Sequence, residues 1–244
     1  MRIIHPRCCG LDVHKATVSA CVLRPHARKP EDAVEIRTFA TFSRDLLDLS
    51  RWLKQCKVTS VAMESTGVYW KPVWNVLEER NFELTLANAQ HVKGLPGRKT
   101  DQADCQWIAE LQQHGLIRSS FVPPREVRQW RDLSRYRTRL VQQRTDIANR
   151  LQKILEDANV KLGCVASDVL GVTGRTIVAK LVAGKTDAGD LAECARGKLR
   201  HKKAQLKAAV ESKINDHHRK LLGYLLEDLK EVEGKMVKVR NELD

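Results

Sequence analysis

The spacing of hydrophobic and polar positions changes several times along the first hundred residues. Arg7 to Val13 and Thr17 to Leu23 are short apolar stretches parted by the polar pair His14-Lys15, a pattern that predicts two strands joined tightly. Ala33 to Phe42 alternates and predicts a third strand. Asp45 to Lys54 places Leu46, Leu47, Leu49, Trp52 and Leu53 at helical spacing. Val58 to Met63 reads as a buried strand closed by Glu64, and Val68 to Glu79 as a helix rich in Tyr69, Trp70, Val73, Trp74 and Leu77. Phe82 to Ala87 is a fifth strand, followed by a loop, Asn88 to Thr100, and then a helix opened by Asp101 and Asp104. Three successive strands pair as an antiparallel meander, and strands reached through helices add in parallel. The expectation is therefore an α/β fold with a mixed sheet covered by helices.

Past Pro123-Pro124 the pattern becomes that of long helices. Leu133, Leu140, Ile147 and Ile154 stand seven apart, with Trp130, Tyr136, Leu151 and Leu155 on the same broad face. Gly163, Gly171 and Gly174 mark a break over Lys161 to Arg175, before a short helix from Thr176 to Ala183 and a loop from Gly184 to Gly189. The last stretch repeats in heptads, with Leu222, Leu229, Met236 and Leu243 at one core position and Leu225, Val232 and Val239 at the other. This predicts a coiled-coil arm. It needs a partner helix from the same chain or a second copy, and a homo-oligomer is expected. The implied divisions are 1–124, 125–189 and 190–244.

Charge narrows the partners. A net charge of +13, from 43 Lys and Arg against 30 Asp and Glu, points first to nucleic acid and second to an anionic membrane surface. No apolar run of about 18 residues and no apolar N-terminal stretch supports insertion or export. The seven cysteines form no C-x-x-C pair and no zinc spacing, which suits reduced thiols in the cytoplasm. The helix from Arg125 concentrates arginines, among them Arg128, Arg131, Arg135, Arg139 and Arg144. A charge run is usually a solvated face. Here arginine outnumbers lysine and acids are scarce, so contact with phosphates is favoured, to DNA or to structured RNA.

Candidate chemistry lies in the acids. Asp101 and Asp104, three apart at a helix start, project from one side. Their repulsion is relieved by a divalent cation, although first-turn acids also complement a helix dipole. Asp12 interrupts a strand, where its plain reading is a solvent-facing residue. The element order is that of a ribonuclease H-like fold. There the first and fourth strands are neighbours, so Asp12 and Glu64 would meet beneath the helix of Asp101 and Asp104. Four carboxylates suit two Mg²⁺ ions about 4 Å apart. Lys15, Arg98 and Lys99 lie near them in sequence and would neutralise phosphate charge, against solvated surface as the plain alternative. His14 and His91 are candidate pocket residues.

Three motifs carry a resemblance: Gly10-Leu11-Asp12-Val13-His14-Lys15, Met63-Glu64-Ser65-Thr66-Gly67-Val68-Tyr69-Trp70, and Lys99-Thr100-Asp101-Gln102-Ala103-Asp104 with Trp107. It continues through Gly115-Leu116-Ile117 and Ser120-Phe121-Val122-Pro123-Pro124. In this order they resemble the DEDD transposases of bacterial insertion sequences, a family that includes Piv-type invertases and bridge-RNA-guided recombinases. The resemblance implies a RuvC-like domain in which Asp12, Glu64, Asp101 and Asp104 bind Mg²⁺, with Mn²⁺ a tolerated substitute, and act on DNA. It also implies a guide RNA, a bacterial cytoplasmic setting at the nucleoid, and a further C-terminal domain with a serine nucleophile. Ser212, the last serine, stands in a Lys-rich helical stretch unlike that domain, and no nucleophile is assigned. The expected function is the N-terminal portion of an RNA-guided, Mg²⁺-dependent transposase. The alternatives are a dimerising nucleic-acid-binding module without chemistry and a freestanding junction nuclease.

Overall fold

Alternation along the first strand decides the layering of the N-terminal half. Cys9, Leu11 and Val13 point to one side of β1 (Cys8–Val13), while Cys8, Gly10 and Asp12 point to the other. The computed structural model describes residues 2–24, 33–65, 67–94 and 104–244, and they divide into two units, Met1–Val122 and Pro123–Asp244.

In the first unit β1 pairs antiparallel with β2 (Thr17–Leu23), which pairs antiparallel with β3 (Val34–Ala40). On its other side β1 pairs parallel with β4 (Ser60–Glu64), and β4 parallel with β5 (Glu83–Ala87). The resulting order, β3-β2-β1-β4-β5, with three antiparallel strands extended by two parallel ones, is that of a ribonuclease H-like sheet. Its central strand is the one that bears Asp12.

Each face is covered by helices whose apolar spacing matches it. α1 (Ser43–Gln55) and α2 (Trp70–Glu78) bury Leu46, Leu49, Leu53, Val73, Trp74 and Leu77 against Cys9, Leu11, Val13 and Met63. The opposite face receives a helix whose described part begins at Asp104. Between lies one departure from expectation. The stretch after β5 holds a short helix, α3 (Ala89–Gly94), where the Gly- and Pro-bearing pattern predicted loop. Val92 of α3 is buried beside Trp107 and Ile108, so apolar packing organises a segment whose turn residues suggested none.

The second unit is helical. α5 (Arg125–Asp157) and α10 (Asp216–Leu243) are its long members; α4 is the first unit's helix Asp104–Gln113. Between them run α6 (Leu162–Val165), α7 (Val172–Val182), α8 (Ala188–Ala192), a 3-10 turn at Gly197–Lys202, and α9 (Lys203–Val210). α7 starts four residues earlier than its sequence spacing suggested, directly after Gly171, and α8 stands where loop was expected.

The two long helices are antiparallel. At one end His218 donates Nε2–H to Asp157 at 2.8 Å, while further along Arg144 donates to Glu233 at 2.9 Å. The His218 tautomer follows from its other nitrogen, which accepts the Asn215 N–H in a capping box that opens α10. Leu222, Leu225, Leu229, Val232 and Val239 are buried with Leu140, Ile147, Leu151 and Leu155. The heptad seam expected to recruit a second copy is thus taken by α5 of the same chain. On α5 the buried stripe stops at Leu140, and Trp130 and Tyr136 remain 64% and 45% exposed, outside the core where the sequence put them.

Glu233 joins three helices. Arg175 of α7 grips it through two hydrogen bonds of 2.6 and 2.5 Å, and Arg144 of α5 adds a third. The Arg175 hydrogen bonds hold its carboxyl at about 2, against opposing burial and with help from Arg144. The folded state therefore favours the charged form, so this contribution is complete above about pH 4.5 and is lost as pH falls towards 2. In Glu233→Gln, urea unfolding at neutral pH should show a stability loss on the order of 2 kcal/mol. Its stability should also fall less steeply than wild type below pH 4.5.

Candidate metal centre at the ends of two parallel strands

The centre is built from the sheet upward. Leu11 pairs with Met63 in the parallel β1–β4 register, so the next residues, Asp12 and Glu64, stand side by side where the two strands end. By alternation both belong to the α4 face, with Gly10 and Ala62 two residues before them. Asp12 is half-buried, and its Oδ2 lies 3.0 Å from Nε2 of His14, which stands in the hairpin turn after β1. Lys15 in that turn is exposed, at the same end of the sheet.

α4 is held against this face by an approach of main chain to main chain. A Cβ at Gly10 would lie 2.2 Å from the carbonyl oxygen of Cys105 and 2.3 Å from the nitrogen of Ala109, closer than any side chain can come. Only glycine fits there. Further along, Gln112 donates to Ser60 at 2.7 Å and to Thr85 at 3.1 Å, and the Cys8 thiol reaches the Ala109 carbonyl. Successive residues of α4 thus meet successively earlier residues of β1 and β4, so the helix runs antiparallel to both. Its first described residue, Asp104, accordingly stands towards the strand ends that carry Asp12 and Glu64.

Electrostatics agree with this placement. Burial raises the Cys105 thiol, and the next contribution in the same direction is the negative charge of Asp12, with Asp104 adding to it. One thiol feels both carboxylates. Beneath it, burial pushes the thiols of Cys8 and Cys21 up to about 12, which keeps this layer of the core neutral and unreactive.

Asp101, Arg98 and Lys99 lie outside the described residues, as does the side chain of His91. Among the described residues no three His, Cys, Asp or Glu side chains are grouped closely enough to hold a metal ion. What the fold places at one end of the sheet is the pair Asp12 and Glu64, with α4 running so that its N-terminal side is directed towards them. Trp107, which trails the acidic motif, is buried, and its indole N–H points to the Val92 carbonyl at 3.5 Å, joining α4 to α3. The roles of Gly10, Ser60 and Gln112 were not read from sequence; a glycine inside a strand pattern was the one available signal, since it marks close backbone approach.

The expected phosphate-binding arginines are in the second unit. Arg131, Arg135 and Arg139 are exposed on the first half of α5, with Arg135 only 3.8 Å from Asp132 as a loose surface pair. Arg128 donates to the Pro123 carbonyl at 2.8 Å. Arg144 departs from the expectation, because Glu233 already occupies it.

A family model described as "Transposase", for the DEDD transposases of the IS110 group, matches residues 9–160. Among solved structures the chain is similar to RuvC of Thermus thermophilus, at 13% identity and a TM-score of 0.28, over 48% of this chain and 84% of that one. No curated protein matches the sequence. No helix among the described residues is long and apolar enough to cross a membrane.

Replacing Gly10 by Ala should force α4 off the sheet and destabilise the chain by about 3 kcal/mol, as overpacking does when the neighbour is backbone. Alkylation of Cys105, followed by mass spectrometry of the native protein, should be undetectable in wild type and measurable in Gly10→Ala.

Proposed function

Because the chain belongs to the DEDD transposase family of the IS110 group, we propose that its first unit processes DNA strands in a metal-dependent way. Asp12, Glu64, Asp101 and Asp104 would hold two Mg²⁺ ions, with Mn²⁺ able to replace them. The observation that carries this reading is the antiparallel run of α4 over β1, which aims the helix start at the strand ends bearing Asp12 and Glu64. Hard carboxylate oxygens suit Mg²⁺, and four of them would otherwise repel one another. When bound, the ions would stabilise the negative charge that builds on a phosphodiester during in-line displacement.

The chain's own contribution is placement. Strand pairing sets Asp12 beside Glu64, and His14 orients the Asp12 carboxylate through its 3.0 Å contact. Lys15, with Arg98 and Lys99 beyond the described residues, would supply cations to the entering phosphodiester. The buried Cys8, Cys21 and Cys105 layer excludes water from beneath the acids.

In the second unit, the exposed first half of α5 supports contact with nucleic acid. Arg131, Arg135 and Arg139 share it with exposed Trp130 and Tyr136, and planar guanidinium and aromatic groups together suit a structured RNA such as a guide. A second copy of the chain would have to use a surface other than the α5–α10 seam. The competing reading is a binding module without chemistry.

Cleavage of a supercoiled or branched DNA substrate with Mg²⁺ separates the two. Wild type should cut, and Asp12→Asn or Asp104→Asn should slow cutting on the order of 10³-fold with the unfolding midpoint nearly unchanged. Binding without cleavage by wild type would establish the module instead. Changing Arg131, Arg135 and Arg139 together to Gln should reduce the slope of log affinity against log salt by roughly 2 to 3. An unchanged slope would return that face to plain solvation.

A further inference from the structure

A second candidate surface lies in the Pro123–Asp244 unit, apart from α5. A cleft of about 520 Å³ opens between the start of α7 and the 3-10 turn Gly197–Lys202. Val165, Ala166 and Leu199 contribute apolar lining, and Arg196, Lys198 and Lys202 bring three cations to it. It is an open cleft rather than an enclosed cavity, a shape that suits a strand lying across it more than a small molecule held inside.

The charges around the cleft are unbalanced. Lys198 and Lys202 have no ion-pair partner among the described residues. The lining holds one acid, Asp168, whose carboxylate accepts the Leu170 N–H at 2.9 Å and keeps its charge, against three cations, and the nearby Glu193 is taken by Lys203 at 2.6 Å. The wider unit offers little compensation, with 26 Lys and Arg against 17 Asp and Glu from 123 to 244.

The lip is formed by backbone. Gly174 lets the preceding loop lie directly on α7, since a Cβ there would meet the Val169 carbonyl oxygen at 2.0 Å. Gly171 leaves the lip without a side chain, while Val172 beside it is 73% exposed, an apolar group kept at the wet edge of a cationic cleft.

We propose that this cleft binds a nucleic-acid strand, with Lys198 and Lys202 on backbone phosphates and the apolar lining against a sugar or unstacked base, while Arg196, whose Nη1 donates to the Glu193 and Ala195 carbonyls, adds positive charge at the rim. Unpaired lysines around an apolar floor fit the two chemistries of a nucleotide, and neither a purely apolar partner nor a small anion uses both. The inference rests on the reading that the chain handles nucleic acid, and it adds a contact separate from the metal centre and from the arginines of α5.

The test uses the full chain without divalent metal, so cleavage does not enter. Binding of a fluorescent single strand of about 20 nucleotides is followed by anisotropy at several salt concentrations. Lys198→Gln with Lys202→Gln should weaken binding about fivefold at low salt and reduce the salt slope by about 1.4, two phosphate contacts' worth. The control is Lys220→Gln with Lys238→Gln, which removes the same charge from α10. Equal loss in the control would mean bulk attraction and would overturn the cleft. Hydrogen exchange should slow at Ser167 to Gly174 on adding the oligonucleotide and not on adding inorganic phosphate. Equal protection by phosphate alone would make it a small-anion site and would also overturn the proposal. If wild type binds no oligonucleotide, the nucleic-acid reading falls with the cleft; if the cleft variant binds as tightly as wild type, the cleft falls alone.

Discussion

Contact between backbone and backbone at Gly10 sets the geometry on which the N-terminal unit depends. Where helices lie on sheets through side chains, small repacking can shift the helix by fractions of an ångström. Here a Cβ would come within 2.3 Å of two main-chain atoms of α4, so the helix rests on the sheet itself. The Gln112 bonds to Ser60 and Thr85 then fix its direction, and the buried thiols of Cys8, Cys21 and Cys105 fill the remaining space without polar demand. A helix seated in this way delivers its first turn to a defined place, which a site made from distant carboxylates requires.

The second unit solves a different problem by a comparable economy of parts. Two long helices with apolar seams pack antiparallel, and one carboxylate, Glu233, receives both Arg144 and Arg175. That charge cluster is partly sheltered and fully hydrogen-bonded, which makes it more than a screened surface pair. Beyond Leu140 towards its start, α5 buries no side chain, and the same helix changes from structural element to exposed basic surface.

Much of this was legible in sequence because the first unit obeys period. Strand and helix patterns placed the five strands among the described residues and both helices of the α1–α2 layer, and the order of elements implied that the strands of Asp12 and Glu64 are neighbours. What pattern did not supply were features decided by tertiary context. The Gly94 and Pro96 region suggested loop, yet burial of Val92 against Trp107 supports α3. The α10 heptad is the same whether its partner is α5 or a second copy, so periodicity could not choose between them. Arg144 looks like its neighbours on the helix, and only the approach of Glu233 from far along the chain distinguishes it. Gly10 stood inside a recognised motif, but the reason for a glycine there exists only once α4 is in place.

The pairing of β1 with β4 also supplies a ruler. Neighbouring strands lie about 4.8 Å apart in every sheet, a distance fixed by main-chain hydrogen bonding rather than by side-chain choice. The ladder holds that interval up to Leu11 and Met63, the residues directly before Asp12 and Glu64, whatever happens in the loops around them. Drift elsewhere in the sequence can therefore alter partners, lengths and surfaces while the gauge between those two positions stays constant.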